Sequence, residues 1–143
     1  SSPSPVANID HLILRVNDLA ASERFYREVL GFRNEGTDGP FTVMRVDPHF
    51  TLQLAAYGTP GHEHYAFRMA KYEFDLCFAR IRAMGVPFGG AFDQVGASTG
   101  PGEERGARGP GPTVYFYDPS QHLIEIRCDG PGAAGLDDSR SGE

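Results

Sequence analysis

Apolar and polar residues alternate from Ile9 to Val16, with Leu12, Leu14 and Val16 on one side and His11, Ile13 and Arg15 on the other. That period belongs to a strand with one buried face. A helix is predicted next, because Asn17 and Asp18 are N-cap residue types. Leu19 to Leu30 then sets Leu19, Ser22, Phe25, Tyr26, Val29 and Leu30 along one mostly apolar stripe. Gly31 is the expected stop. Phe41 to Val46 and Thr51 to Ala56 read as two more strands, joined around the turn-compatible Asp47, Pro48 and His49. Gly58, Pro60 and Gly61 mark a seam between Tyr57 and Gly61.

After the seam the order returns. His64 to Met69 alternates again, a helix is predicted from about Tyr72 to Met84, and Gly85 is its stop. Val114 to Tyr117 leads through a turn at Asp118 and Pro119 into a last strand, His122 to Cys128. One inserted residue reconciles the two copies, so the chain is predicted to be α+β, built from two tandem βαβββ modules. Module 1 covers about 9–57 and module 2 about 62–128, inside one domain of 9–128. Residues 1–8 read as an extension and 129–143 as a Gly-rich flexible tail. Between Gly89 and Pro112 the composition shifts to Gly, Pro and charge, which predicts either a mobile lid or a disordered insertion.

The chain has 143 residues, enough for one domain with a real core. A formal net charge of −6 argues against binding nucleic acid or anionic membrane surfaces and favours small molecules or protein partners. Two cysteines, Cys77 and Cys128, cannot staple a fold of this size, which points to a reducing compartment. The first residues lack the pattern of a signal peptide, and no apolar run approaches the roughly 20 residues that span a bilayer. A cytoplasmic protein is the expectation.

Strand parity locates the candidate chemistry, since residues two apart share a face. One face is apolar in four strands: Leu12, Leu14 and Val16; Leu52, Leu54 and Ala56; Tyr65, Phe67 and Met69; Ile124, Ile126 and Cys128. The opposite faces carry His11, Gln53, His64 and Glu125. The repeat aligns His11 with His64 and Gln53 with Glu125, and an approximate two-fold axis would turn all four toward one point. Two imidazoles and a carboxylate suit one divalent cation such as Zn, Fe(II), Mn or Ni, and form the donor set of non-haem Fe(II) oxygenases. Arg15, Arg68 and Arg127 share these faces and would suit an anionic substrate, or sit at strand ends in solvent. Cys77 falls on the apolar stripe of the second helix with Phe74, Phe78 and Ile81, where packing is the expected role. His49, His62 and His122 are expected to be structural or exposed.

The stretches IDHLILRVNDLAASERFYREVLGF, HEHYAFRM and GPTVYFYDPSQHLIEI together resemble the vicinal oxygen chelate superfamily of glyoxalases, bleomycin-resistance proteins and extradiol dioxygenases. The resemblance implies a curved, partly open mixed sheet with helices on its convex side. It further implies a cation held on the concave side by His11, His64 and Glu125 and chelated by adjacent substrate oxygens. Val114 to Glu125 is similar to the extradiol-dioxygenase pattern, which implies an active-site role for Tyr115. The sequence departs from that pattern at Gln121 and at Gly106 to Arg108. Glyoxalase I and methylmalonyl-CoA epimerase carry Glu or Gln at the position of Gln53, which implies a fourth ligand there and isomerase-like proton transfer, with either Glu125 doubling as ligand and base or another residue as the base.

Tyr115 and Glu125 are thus the expected catalytic residues, and Arg68, Arg127 and Tyr117 the expected substrate contacts. The expected function is that of a metal-dependent enzyme, dioxygenase-like or a glyoxalase-like lyase or isomerase, acting on a small oxygenated metabolite. The alternative is an antibiotic-resistance protein that binds bleomycin or modifies fosfomycin, although Ile13 replaces the Thr that fosfomycin-resistance transferases carry. Homodimerisation is also implied, because relatives often complete their sites across a subunit interface.

Overall fold

The computed structural model describes residues 6–131. Residues 1–5 of the expected extension and 132–143 of the expected tail lie outside the described residues. The chain divides into two compact units. One runs to Gly61 and takes in Asp118–Gln121, and the other comprises His62–Tyr117 and the chain from His122 onward. Each carries its own mixed sheet, so the α+β architecture read from the sequence is present.

In the first unit, strand β1 (His11–Arg15) leads into helix α1 (Leu19–Glu28), followed by β2 (Arg33–Asp38), β3 (Phe41–Asp47) and β4 (Phe50–Ala55). The sheet order is β1-β4-β3-β2, with β1 parallel to β4 and the other pairs antiparallel. Asp18 caps α1 through its side chain, which accepts from the Ala21 N–H at 3.0 Å and satisfies an amide the helix cannot. The face of the sheet bearing Leu14, Met44, Leu52 and Leu54 is fully buried, as is Tyr26 on α1. The Tyr26 ring stacks on Phe32 with centroids 6.1 Å apart.

The Tyr26 hydroxyl donates to Asp118 Oδ2 at 2.6 Å, and Asp118 Oδ1 accepts from the Ser120 N–H at 2.8 Å. Ser120 Oγ in turn accepts from the Asn17 N–H at 3.0 Å. This buried network belongs to the first unit although Asp118–Gln121 is the turn between the last two strands. Asp118 thus has a packing role as well as the turn role expected for it.

In the second unit, β5 (His64–Arg68) precedes α2 (Lys71–Ala83), β6 (Phe88–Gly89), β7 (Gly102–Gly106), β8 (Gly109–Tyr117) and β9 (Leu123–Arg127). The path is β5-β9-β8-β6, with β7 also paired to β8 and β5 parallel to β9. Phe74, Cys77, Phe78 and Ile81 form the buried stripe of α2, and Phe78 meets Phe88 edge to face at 5.2 Å between centroids. Gly31 and Gly85, the two expected helix stops, both have positive φ, 82° and 70°. After α2 the Val86 N–H returns to the Ile81 carbonyl at 3.0 Å, closing the helix end through a left-handed glycine.

Three strands depart from the sequence reading. β2 was not foreseen, because all six of its residues are exposed and carry no alternation. It is an edge strand paired antiparallel to β3, and Arg33 and Arg45 both donate to its Glu35 at 2.9 and 3.0 Å. Those guanidinium groups hold the Glu35 carboxyl below the usual carboxylate range.

The segment 89–112, expected as a lid or insertion, instead contains β7 and the start of β8. The two pair antiparallel from Gly102↔Thr113 to Gly106↔Gly109, and β6 covers the rest of the same edge. A hairpin built on a long neighbouring strand does not need its own apolar period, so composition concealed it. Residues between β6 and β7 are also organised: Thr99 Oγ1 accepts from the Gly90 N–H and donates to Gln94 Oε1, both at 3.2 Å. No helix among the described residues is long and apolar enough to cross a membrane.

Removing the Tyr26 hydroxyl takes one donor from a carboxylate that is 2% exposed. Tyr26→Phe is therefore expected to lower unfolding free energy by about 1–3 kcal/mol in urea titrations, with an unchanged m-value. A loss below a few tenths would show that Asp118 is not held by this bond.

Candidate metal and acid–base site

In the second unit, His64 lies opposite Leu123 and Ala66 opposite Glu125 across the parallel pair. Across the antiparallel pair Glu125 lies opposite Tyr115, and Arg127 opposite Thr113. Residues paired this way share a face, so His64, Glu125, Arg127, Thr113, Tyr115 and Tyr117 all project from the side of the sheet away from Ile124, Ile126, Val114 and Phe116.

Glu125 is 5% exposed, and its two oxygens have different partners. Oε2 accepts from Thr113 Oγ1 at 2.8 Å and from Arg127 Nη1 at 3.1 Å. Oε1 faces His64 Nε2 at 3.2 Å. An unpaired buried carboxylate would be strongly unfavourable, and here Arg127, itself buried, supplies the compensating charge.

The His64–Glu125 separation also fits a shared cation. Donors held about 2.1 Å from one metal lie roughly 3.0 Å apart at a right angle and roughly 3.4 Å apart in a tetrahedron. A neutral imidazole and a carboxylate are the donor types such ions accept. This pair supplies two donors, and among the described residues no three His, Cys, Asp or Glu side chains gather into a metal-holding group.

The first unit presents the equivalent positions on its own sheet. His11 lies opposite Thr51 and Ile13 opposite Gln53, so in each unit the Gln or Glu stands two residues beyond the partner of the histidine. His11 and Gln53 therefore share a face, as parity predicted. The His11 side chain is 47% exposed, with Nδ1 2.7 Å from Asp10 Oδ2. A carboxylate on Nδ1 leaves Nε2 as the nitrogen open to coordination. The structure thus joins His64 to Glu125 within the second unit and sets His11 and Gln53 on one face within the first.

Tyr115 is buried beside this carboxylate, its ring 5.9 Å from that of His64 between centroids. Burial pushes its hydroxyl up to about 12, and the charge of Glu125 adds to the effect. The phenol is therefore a proton-bearing donor at neutral pH rather than a base. Tyr117, on the same face, is 41% exposed.

The arginines expected to meet substrate already have partners in the fold. Arg68 donates to Asp129 through Nε and Nη2, the latter at 2.7 Å, and holds that carboxyl below its usual range. Arg127 donates to Glu125 and to the Glu104 and Gly109 carbonyls. Arg15 donates to the Gly58 and Tyr57 carbonyls and lies over the Tyr57 ring. His122 is fully buried and accepts from the Glu63 N–H at 3.3 Å, a structural role. Thr113 was not singled out from the sequence. The signal was available, since it stands two residues before Tyr115 and shares its parity.

Residues 8–126 match the family model described as Glyoxalase/Bleomycin resistance protein/Dioxygenase superfamily. The chain is similar to virulence protein STM3117 of Salmonella typhimurium, 32% identical over 128 residues that cover 85% of this chain and 83% of that protein. It is also similar to fosfomycin resistance protein FosX of Listeria monocytogenes, at 24% identity with 86% and 90% covered. Among solved structures, oxidase ChaP-H1 superposes with a TM-score of 0.68 at 30% identity, covering 89% of this chain and 99% of that one.

The two thiols are the remaining reactive groups. Both are buried, and burial pushes Cys77 up to about 11 and raises Cys128 as well. Cys77 is a packing residue, since an unionised thiol is a poor nucleophile. A thiol pKa raised from 9.0 to about 11 contributes stability that is whole below pH 9 and fades as pH rises through that window. Neither cysteine is expected to react with a thiol reagent at neutral pH until denaturant is added. Fast labelling of folded protein, mapped by mass spectrometry to Cys77, would contradict this.

Proposed function

This chain belongs to the Glyoxalase/Bleomycin resistance protein/Dioxygenase superfamily, and from that premise we propose that it is a metal-dependent enzyme acting on a small oxygenated metabolite. His11, His64 and Glu125 are the proposed ligands of one divalent cation, with Gln53 as a fourth. The observation that carries the reading is the 3.2 Å approach of His64 Nε2 to Glu125 Oε1 on a carboxylate whose other oxygen is separately satisfied.

Held by these residues, a divalent cation would supply Lewis-acid polarisation of a chelating substrate oxygen. The chain's own groups do the rest. Glu125 is aimed by Thr113 and Arg127. Tyr115 keeps its proton and donates a hydrogen bond to a substrate oxygen on this face. Tyr117 is the exposed side chain available to contact the rest of the molecule. This arrangement serves isomerisation next to a carbonyl or oxidation of a chelated substrate. The similarity to FosX supports a second reading, modification of an antibiotic by the same ligands.

His11 completes the proposed ligand set from the same chain or from a second copy, and a homodimer is the proposed assembly. Protein loaded with Mn(II), desalted and assayed by elemental analysis, is expected to hold one ion per chain. His64→Ala is expected to lose it while keeping the thermal melt of the parent, because the side chain is 48% exposed and off the helix-packed face. Full metal content in His64→Ala would remove the ligand set. Co-refolding His11→Ala with His64→Ala chains should restore part of the capacity if the ligands come from two copies, and none if they come from one.

A further inference from the structure

We infer that Arg127 is a positioning residue and that the β7–β8 hairpin, through it, sets the direction in which Glu125 presents Oε1. The inference rests on the metal reading above. Arg127 Nη1 donates to Glu125 Oε2 at 3.1 Å, while Nη2 donates to the carbonyls of Glu104 in β7 and Gly109 at the start of β8, at 3.0 and 3.1 Å. One planar guanidinium therefore ties the carboxylate to both strands of the hairpin. With Thr113 Oγ1 as second donor, Oε2 has a partner for each lone pair, which fixes the carboxylate plane and leaves Oε1 toward His64.

The hairpin is shaped for this contact. A Cβ at Gly106 would overlap the guanidinium carbon of Arg127 and lie 2.7 Å from Nη2, so at the end of β7 glycine lets the strand close on the arginine in its hydrogen-bonded position. Gly106 and Gly109 face each other at the last pair of the hairpin, and Arg127 is 8% exposed beneath. The segment whose composition suggested a lid acts instead as a fixed backstop.

Charge and position give opposite expectations, which makes the test sharp. Coulomb repulsion alone says that removing a guanidinium beside a cation site tightens cation binding. Positioning says that binding weakens, because Glu125 loses its fixed plane. Titration calorimetry of the full chain with Mn(II), paired with thermal melts, separates them.

Arg127→Met is expected to weaken Mn(II) about 10–100-fold, the range found when partners that orient metal ligands are removed. Arg127→Lys, which keeps the charge but not the fork, should recover only part of that affinity. Gly106→Ala keeps every ligand and the arginine in the sequence but displaces the guanidinium, so it is expected to weaken binding by a smaller factor, and it carries the test if Arg127→Met fails to fold. Tighter or unchanged affinity in Arg127→Met, or unchanged affinity in Gly106→Ala, overturns the inference even if melting temperatures fall. Wild-type protein that takes up no Mn(II) fails the metal reading itself, a result distinct from variants that bind as well as the parent.

Discussion

A carboxylate buried in the middle of a sheet face must be given donors, and the second unit is organised around that requirement at Glu125. Thr113 comes from the adjacent strand, Arg127 from two residues along the same strand, and His64 from the strand on the other side. Arg127 could not remain buried without acceptors of its own, and the hairpin carbonyls of Glu104 and Gly109 provide them. The chain of obligations runs from one charged oxygen to the backbone of β7, so the hairpin follows from the site rather than ornamenting it.

The internal repeat makes the comparison between units informative, because register equates positions without appeal to sequence similarity. Gln53 stands where Glu125 does, and its neighbours across the strands are Val43 on the antiparallel side and Ile13 on the parallel side. Ala55 holds the place of Arg127 and Phe41 the place of Thr113. None of these can donate to a carboxylate from its side chain, and the two guanidinium groups on that face, Arg15 and Arg45, are engaged by the Gly58 and Tyr57 carbonyls and by Glu35, so a glutamate at position 53 would lack a dedicated partner of the kind Arg127 supplies. A neutral amide tolerates that setting better, since it keeps a donor and an acceptor and brings no charge to bury. The two units thus share a scaffold and differ in electrostatic equipment, and the strongly anionic donor belongs to the second alone.

Most of the scaffold was legible because its strands and helices bury one face, and burial writes a period into the sequence. β1, β4, β5 and β9 alternate, α1 and α2 carry apolar stripes, and both helices end at left-handed glycines, so their boundaries fall within a few residues of the reading. β2 and β7 were not legible. Arg33–Asp38 is wholly exposed, and the half-buried face of Gly102–Gly106 is Gly102, Glu104 and Gly106, so neither writes an apolar period into the sequence.

At the site, parity found His64, Glu125 and Tyr115 on one face. It could not find what Arg127 binds, because two of its partners are main-chain carbonyls that any residue would supply. Read from the sequence, Arg127 suits an anionic substrate or sits at a strand end in solvent; in the fold it ties Glu125 to the hairpin carbonyls. Burial alone would not have distinguished these roles; the acceptors do.

The same geometry bears on which group moves a proton. A carboxylate that serves as general base needs a lone pair directed at the substrate. At Glu125 both acceptor positions of Oε2 are taken by Thr113 and Arg127, and Oε1 faces His64. Only Oε1 therefore has a lone pair left to direct, whether at a proposed cation or at a proton. Tyr115, kept protonated by its burial and by the neighbouring charge, is placed to donate. Chemistry that requires a hydrogen-bond donor beside a chelated oxygen is compatible with these residues as they stand. Chemistry that requires a base on this face must take it from Oε1, which would have to turn from His64 while Oε2 keeps Thr113 and Arg127.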